Sequence, residues 1–190
     1  MRSRTTFPAV TIALALACGG ANAQPVPDES SRVSMKYSAE DMGHPAVRLS
    51  GACPVAVVAV ADQRPNKETV GYDFKALLSG DPVPWVGDAL RNLKAHGFAV
   101  QDPAPGVIGI RAKLTRSYVW TASLRINSMV ALDLEYQRPN GTPVAAKYRA
   151  FGSKTNMWGA TDEFMTTLNY AMNNLLLKVA ADLQKACSGA

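Results

Sequence analysis

The sequence contains little of the chemistry on which most enzymes and metalloproteins depend. It has two histidines and three cysteines in 190 residues. No His-x-x-x-His or Cys-x-x-Cys spacing occurs, so a dedicated transition-metal site is not expected. A Gly-x-Ser-x-Gly nucleophile elbow and a phosphate-binding loop are also missing. The sequence therefore predicts a protein that is not an enzyme and that carries no cofactor or metal.

A large excess of charge of one sign is missing as well. The formal net charge is +5, and the first 23 residues contribute two arginines and no acid, so it falls to +3 without them. A net positive charge this small does not indicate binding to nucleic acid. The length predicts one domain with a real core.

The N-terminus is typical of an export signal. Arg2 and Arg4 precede an apolar run from Phe7 to Ala17, which is too short to cross a bilayer. The small residues that end at Ala23 suit a signal peptidase, which would leave Gln24 as the new N-terminus and residues 1–23 as the signal peptide.

A second cleavage site is the alternative, because "ALAC" at residues 15–18 loosely resembles a lipobox. Cleavage before Cys18 would attach a lipid to that cysteine. The residues alone favour the cut after Ala23. Either cut sends the protein to the periplasm, soluble in the first case and lipid-anchored to the outer membrane in the second.

The remaining cysteines are Cys53 and Cys187. An oxidising compartment favours a disulfide between them, which would join the start of the first core strand to the end of the last helix. Two separate thiols are the alternative.

Beyond the signal, residues 24–53 read as a flexible leader with a short edge strand at 33–37, and residues 54–187 as a single α+β domain. The continuous apolar run at 55–61 predicts a strand buried on both faces. A helix capped by Asp81 and ended by Gly97 follows, and then a short strand at 98–101. This pattern predicts a β-α-β opening.

Three amphipathic strands come next, in which apolar residues alternate with polar ones over 108–114, 124–136 and 144–150. A three-residue loop between the last two, with Gly141 in a left-handed bulge position, predicts one register. It pairs Leu134 with Ala146, Leu132 with Tyr148, and Asp133 with Lys147.

The last element predicted is a long helix starting at residue 161. Its apolar stripe consists of Phe164, Leu168, Ala171, Met172, Leu175, Val179 and Leu183. The predicted fold is thus an antiparallel three-stranded meander after the β-α-β opening, with two helices packed on one face of the sheet. The other face would carry Arg111, Lys113, Arg125, Lys147 and Arg149. These could hold phosphate, an anionic lipid or a glycan, or simply face water.

Five further residues could carry chemistry. Asp62 and Arg64 follow the first core strand, where they could form a local pair or line a ligand site. Asp133 and Glu135 share one strand face about 7 Å apart, a spacing that also suits a solvated surface. His96 sits at a helix end, where it could cap terminal carbonyls.

The order of these segments resembles the YajG-like family of bacterial envelope lipoproteins. The matching segments span Val55 to Gln184 and read "VAVADQRPN", "ALRNLKAHGFAV", "VIGIRAKL", "VALDLEYQRPNGTPVAAKYRAFG" and "LNYAMNNLLLKVAADLQ". The resemblance implies a small α+β accessory lipoprotein without an established catalytic set, and it favours a lipid on Cys18.

The expected function is therefore that of a non-enzymatic envelope protein with an accessory or binding role. Its partner would be an envelope protein or an anionic envelope component. One alternative is an assembly or regulatory factor of a transporter or a peptidoglycan synthase, with an interface around Trp120, Phe151 and Trp158. A hydrolase using acids near Asp62 is the remaining alternative.

Overall fold

The computed structural model describes residues 32–41, 47–49, 53–73, 75–137, 141, 143–155 and 161–188. Within these residues the strands are β1 (Arg32–Val33), β2 (Pro54–Asp62), β3 (Thr69–Asp73), β4 (Lys75–Ser79), β5 (Ala99–Val100), β6 (Ile108–Ala122), β7 (Arg125–Gln137) and β8 (Pro143–Thr155). The helices are α1 (Pro82–Arg91) and α2 (Thr161–Cys187), with a 3-10 helix at Asn92–His96. The fold is a mixed α+β structure with one large open sheet.

The long strand β6 organises the sheet. On one side it pairs antiparallel with β7, which pairs antiparallel with β8. On the other side the first half of β6 pairs parallel with β2, and its last part pairs parallel with β3. The sheet therefore forks beside β6, with β5 next to β2 in one branch and β4 and β1 next to β3 in the other.

A bulge in β6 changes which residues face the core. Before it, Ile108 and Leu114 are buried, and after it Ser117 and Val119 are buried. The register shifts between Leu114 and Arg116, so even positions face inward at the start of the strand and odd positions at its end. This reversal turns Arg116 and the residues at 118 and 120 outward.

The opening of the fold contains a hairpin that the predicted β-α-β unit did not include. Strands β3 and β4 form a hairpin between β2 and α1, in a segment that begins with the turn-rich residues after Asp62. These strands are short, and a glycine interrupts the sequence pattern of β3. Position 71 requires glycine, because a Cβ there would lie 1.9 Å from the carbonyl oxygen of Val119. The prediction that β2 is buried on both faces is wrong, since Val58 is 38% exposed.

The helices begin and end largely where the sequence places them. Asp81 caps α1 by accepting a hydrogen bond from the Val83 amide at 3.0 Å. The 3-10 helix ends at Gly97, whose φ of 98° is left-handed. All seven residues of the predicted α2 stripe are buried, and they share one core with the inner face of the sheet and with α1.

The predicted register between β7 and β8 is confirmed. Leu134 pairs with Ala146, Leu132 with Tyr148, and Asp133 with Lys147. Gly141 has a φ of 84°, while the other residues of the turn, 138–140 and 142, lie outside the described residues. Lys147 Nζ lies 3.4 Å from Asp133 Oδ2 on the exposed side.

The outer edge of β8 is partly covered by α2. Lys178 Nζ donates to the carbonyl of Arg149 at 2.7 Å, and Asn174 Nδ2 donates to the carbonyl of Phe151 at 2.8 Å. Two backbone acceptors on the free side of an edge strand are thereby occupied by side chains. Such occupation makes the edge a poorer template for another strand.

Residues 32–41, within the expected leader, lie against the helices. Tyr37 donates its hydroxyl proton to Asn173 Oδ1 at 2.5 Å, and Asn92 Nδ2 donates to the Tyr37 hydroxyl at 2.9 Å. Asn169 Nδ2 donates to the Asp41 carboxylate at 2.9 Å. Burial raises the pKa of Tyr37 to about 12, although the hydrogen bond from Asn92 works in the opposite direction. The strand itself covers only Arg32–Val33, at the edge of the sheet.

Candidate interaction surface

The side chains on the exposed face of β6, β7 and β8 stand in regular rows. Tyr118 lies opposite Met129, which lies opposite Phe151. In the next row, Arg116 lies opposite Ala131, which lies opposite Arg149. We call the following seven residues the basic–aromatic face: Arg116, Tyr118, Trp120, Met129, Ala131, Arg149 and Phe151.

Large apolar groups of this face are open to solvent. Tyr118 is 45% exposed and Phe151 52% exposed. The rings of Tyr118 and Trp120 stack with their centroids 6.0 Å apart. The guanidinium carbon of Arg149 lies 5.5 Å from the centroid of the Phe151 ring, which is a cation–π contact. Exposed aromatic side chains grouped in this way are typical of binding surfaces.

The charges on the same side of the sheet divide into paired and unpaired groups. Lys113 donates to Glu135 at 2.5 Å, and Lys147 pairs with Asp133 at 3.4 Å. The hydrogen bond from Lys113 holds the pKa of Glu135 below its usual value. In the described chain no carboxylate forms an ion pair with Arg116 or Arg149. The face is therefore locally cationic where its aromatic groups lie.

Two shallow depressions flank Arg116 and Met129. One, of about 420 Å³, has Ala131 among its lining residues and is bordered by Arg116, Lys147 and Arg149. The other, of about 290 Å³, lies at the fork of the sheet, between Tyr118 and the loop that carries Arg64. Both depressions open on the exposed side of the sheet, so this surface is contoured as well as charged.

The structure brings Asp62 and Arg64 together at that fork. Arg64 donates from Nε to Asp62 Oδ1 at 2.9 Å and from Nη2 to Oδ2 at 2.9 Å. Its Nη1 donates to the hydroxyls of Ser79 and Ser117, both at 3.1 Å, and Nη2 also reaches the carbonyl of Lys67 at 3.3 Å. These bonds use all five N–H groups of the guanidinium.

This arrangement gives the pair a stabilising role. Arg64 is 4% exposed and links the loop after β2 to both branches of the sheet. Partial burial disfavours the charged form of Asp62, but the hydrogen bonds and the charge of Arg64 outweigh it and hold the pKa of Asp62 below its usual value. The local ion pair that the sequence suggested is present, together with contacts to Ser79 and Ser117 that no local pattern indicates.

Cys53 and Cys187 form a disulfide that joins residues 134 positions apart. The amide of Cys53 also donates to the sulfur of Cys187 at 3.1 Å. The bond connects the residue before β2 to the last residue of α2. The candidate cleavage and lipid-attachment residues Cys18, Ala23 and Gln24 lie outside the described residues.

Other candidates from the sequence occupy less reactive positions. Asp133 and Glu135 are each paired with a lysine, as described above, so they are not a free pair of carboxylates. Trp120 and Phe151 lie in neighbouring rows of the basic–aromatic face, whereas Trp158 lies outside the described residues. The cations Arg111, Arg125, Lys147 and Arg149 are exposed and Lys113 is half-buried, all on the side of the sheet that faces away from the helices.

The capping role predicted for His96 is wrong. Its side chain is 1% exposed, and Nδ1 lies 2.9 Å from the carbonyl of Val47, a residue distant in sequence. The amide of Leu49 in turn donates to the His96 carbonyl at 3.0 Å. His96 therefore holds residues 47–49 against the end of the 3-10 helix, and among the described residues nothing hydrogen-bonds to its Nε2.

Sequence reasoning missed Arg116, Tyr118 and Met129 as candidates. The alternation in β6 breaks at Thr115, so the pattern read from the sequence stops at Leu114. It resumes one residue out of phase in "RSYVW", with Ser117 and Val119 inward. A one-residue break in an otherwise regular alternation is the signal of a bulge, and it could have identified these residues.

The described residues hold no group of three or more His, Cys, Asp or Glu side chains placed to bind a metal ion. The same part of the chain contains no helix that is long and apolar enough to cross a membrane.

No family model matches the sequence, and no curated protein is significantly similar to it. Among solved structures, the chain is similar to a Xanthomonas campestris protein of family DUF330, with a TM-score of 0.50 and 7% identity. The likeness covers 76% of this chain and 93% of that one. At this identity the similarity concerns the fold alone.

Weaker likenesses include a minor lipoprotein from Acinetobacter baumannii, with a TM-score of 0.40, 10% identity, and coverage of 67% of this chain and 92% of that one. The rare lipoprotein B from Shewanella oneidensis gives a TM-score of 0.37 and 9% identity, with coverage of 69% and 94%. These two scores are too low to support an argument about this chain. The comparisons with solved structures thus establish a fold shared with a bacterial protein of family DUF330.

Proposed function

We propose that this chain is an exported, non-enzymatic protein of the bacterial cell envelope that acts as an accessory factor, binding a partner through the basic–aromatic face. The observation that carries the proposal is the composition of that face. Protein interfaces are enriched in Tyr, Trp, Phe, Met and Arg and depleted in Lys, Asp and Glu at their centre. The basic–aromatic face has this composition, and its paired lysines lie beside it.

Location in the envelope is supported by the N-terminal sequence. The export signal, the competing cleavage sites at Cys18 and Ala23, and the resemblance to YajG-like lipoproteins all point to the periplasmic side of a bacterial membrane. A disulfide between Cys53 and Cys187 suits that oxidising space. The YajG-like assignment and the anchor to the outer membrane are parts of this proposal.

The accessory role is favoured over the hydrolase alternative by the contacts of Asp62. Asp62, the acid that the hydrolase alternative required, is held by Arg64 at two points and is not available as a base. The proposed partner is a larger envelope assembly, such as a transporter or a peptidoglycan synthase, because a small domain with an exposed binding face suits an assembly or regulatory factor.

In-cell photo-crosslinking tests the proposal. A photoreactive phenylalanine analogue is placed at Tyr118 or Phe151 in the full chain, and at Arg91 on α1 as a control with an exposed side chain. Irradiation of intact cells is expected to give a discrete adduct from the two sheet positions and none from Arg91. If neither sheet position gives an adduct, or if Arg91 gives the same one, this face is not the binding surface.

A further inference from the structure

The basic–aromatic face keeps its charges and its apolar groups in two adjacent rows. The row containing Arg116 and Arg149 is two residues along the strands from the row containing Tyr118 and Phe151, which is a spacing of about 7 Å. We infer that the partner is a protein segment that places a carboxylate between the two arginines and a large apolar side chain on the aromatic row. This inference rests on the proposed docking function and names the chemistry of the occupant.

The site for the carboxylate is the depression at Ala131. Arg116 and Arg149 stand on the strands on either side of Ala131, with their Cα atoms about 10 Å apart. The short side chain of Ala131 leaves a space of about 420 Å³ between them. Two guanidinium groups can converge on one carboxylate there, because each presents paired N–H groups that match carboxylate oxygens.

The charges around the depression fit this occupant. Asp133 lines the same depression but is paired with Lys147 at 3.4 Å, so it does not neutralise the arginines. Arg149 lies over Phe151, which places its positive charge beside the aromatic row. A partner carboxylate would thus sit next to the apolar contact, where exclusion of water strengthens the charge pairing.

The site for the apolar side chain is the row formed by Tyr118, Met129 and Phe151. Tyr118 and Phe151 are about half-exposed, and Met129, on the strand between them, adapts to irregular shapes. The depression at the fork, beside Tyr118 and Met129, gives an apolar side chain a place to enter. Burial of this row supplies the affinity, and the arginines supply the specificity.

The row spacing restricts the partner segment. Residues two positions apart in an extended chain lie on the same side, about 7 Å apart. An extended segment with Asp or Glu at one position and a large apolar residue two positions away, in the order set by its direction along the strands, therefore matches both rows at once.

An anionic membrane is a weaker match for this face. A bilayer would attract lysines and arginines alike, over the whole surface. Here the two lysines are engaged by Glu135 and Asp133. Four arginines on this side of the sheet form no ion pair with a carboxylate among the described residues: Arg111, Arg116, Arg125 and Arg149. Only Arg116 and Arg149 lie beside the aromatic row, so a protein partner can match charge and apolar contact together at that place.

Peptide binding followed by nuclear magnetic resonance tests the inference. The probe is a synthetic peptide with the core Thr-Glu-Thr-Phe-Thr, and the controls replace Glu by Lys or Phe by Ser. The Glu–Phe peptide is expected to shift the signals of Met129, Ala131 and the Arg116 and Arg149 side chains. The Lys–Phe and Glu–Ser peptides are expected to bind at least about tenfold more weakly.

Variants of the full chain identify the groups responsible. Arg116→Gln combined with Arg149→Gln is expected to weaken binding of the Glu–Phe peptide at least about tenfold. Arg116→Lys should give a smaller loss of affinity, because lysine keeps the charge without the paired donors. Arg91→Gln, on α1, is the matched control and leaves binding unchanged. The amide spectra report whether each variant is folded.

Several outcomes overturn the inference. Equal binding of the Glu–Phe and Lys–Phe peptides, no binding of either, or no effect of the double arginine variant would each contradict it. Shifts produced only by phosphatidylglycerol vesicles, and not by phosphatidylcholine vesicles or peptides, would assign the face to an anionic lipid surface instead. If crosslinks from Tyr118 form in cells and the peptide does not bind, the proposed docking function stands, and the inference that the partner carries a carboxylate is wrong.

Discussion

Asp62 and Arg64 are joined at two points, with Nε to Oδ1 and Nη2 to Oδ2 both at 2.9 Å. The side chain of Arg64 is almost fully buried, and that of Asp62 is 14% exposed. Among the described residues, no other carboxylate pairs with Arg64. The pair stands where β2 ends and the sheet divides, so it fixes the two branches relative to β6.

Removal of the Asp62 charge is expected to destabilise the protein strongly. In Asp62→Asn, the Arg64 guanidinium stays buried without a counter-charge, and the free energy of unfolding should fall by about 3–5 kcal/mol. The measurement is urea unfolding of the purified mature domain. The control is Asp88→Asn, which breaks an exposed pair with Arg91 and should change stability by about 0.5 kcal/mol or less. Equal effects of the two substitutions would show that the fork does not depend on this pair.

The same pair predicts a dependence of stability on pH. The pKa of Asp62 is lower in the folded than in the unfolded protein because of its bonds to Arg64. Its contribution is therefore fully present above the unfolded pKa of about 4 and is lost as the pH falls through the folded value. The difference in unfolding free energy between wild type and Asp62→Asn should shrink in that acidic range. A difference that stays constant down to the lowest pH at which both fold contradicts this assignment.

Loss of the disulfide is expected to lower stability without changing the fold. Cys53 and Cys187 close a loop spanning 134 residues, for which the chain-entropy relation gives about 5 kcal/mol as an upper value. The double variant Cys53→Ser, Cys187→Ser should unfold at lower urea concentration than wild type. The mass of the intact wild-type protein should be lower than that of its reduced form by two hydrogen atoms. An unchanged mass on reduction would rule out the bond.

The side chains of Asn174 and Lys178 are expected to keep β8 from pairing with other chains. They occupy the carbonyls of Phe151 and Arg149 at the outer edge of the strand. Asn174→Ala with Lys178→Ala frees both acceptors, so self-association should increase. Analytical ultracentrifugation measures it, with Lys185→Ala on the same helix as the control. Identical sedimentation of the two variants would mean that the edge is protected in another way.

The elements that the sequence predicts well are those with long, regular patterns. The apolar stripe from Phe164 to Leu183 extends over five turns of α2, and its periodicity has one interpretation. The register of β7 and β8 was predictable because only one loop length keeps apolar residues such as Leu134 and Ala146 on one face. In both cases the decisive information lies within one element or one turn.

The missed features depend on contacts between distant residues. Nothing near Arg64 indicates that Ser79 and Ser117 will surround its guanidinium. The hairpin of β3 and β4 is short and is stabilised by pairing with β1 and β6. The row of Tyr118 and Phe151 forms only because a bulge shifts β6 by one position. The candidate surface therefore could not be assembled from local patterns.

Oxidative footprinting in living cells tests the central claim most directly. Hydroxyl radicals modify exposed Tyr, Trp, Met and Phe side chains and, more slowly, Leu, so the purified protein and the protein in intact cells can be compared residue by residue. Binding through the basic–aromatic face predicts that Tyr118, Met129 and Phe151 are protected in cells, while Leu124, which is 76% exposed in the turn between β6 and β7, reacts equally in both. Equal modification of Tyr118, Met129 and Phe151 in cells and in the purified protein would contradict the proposed function.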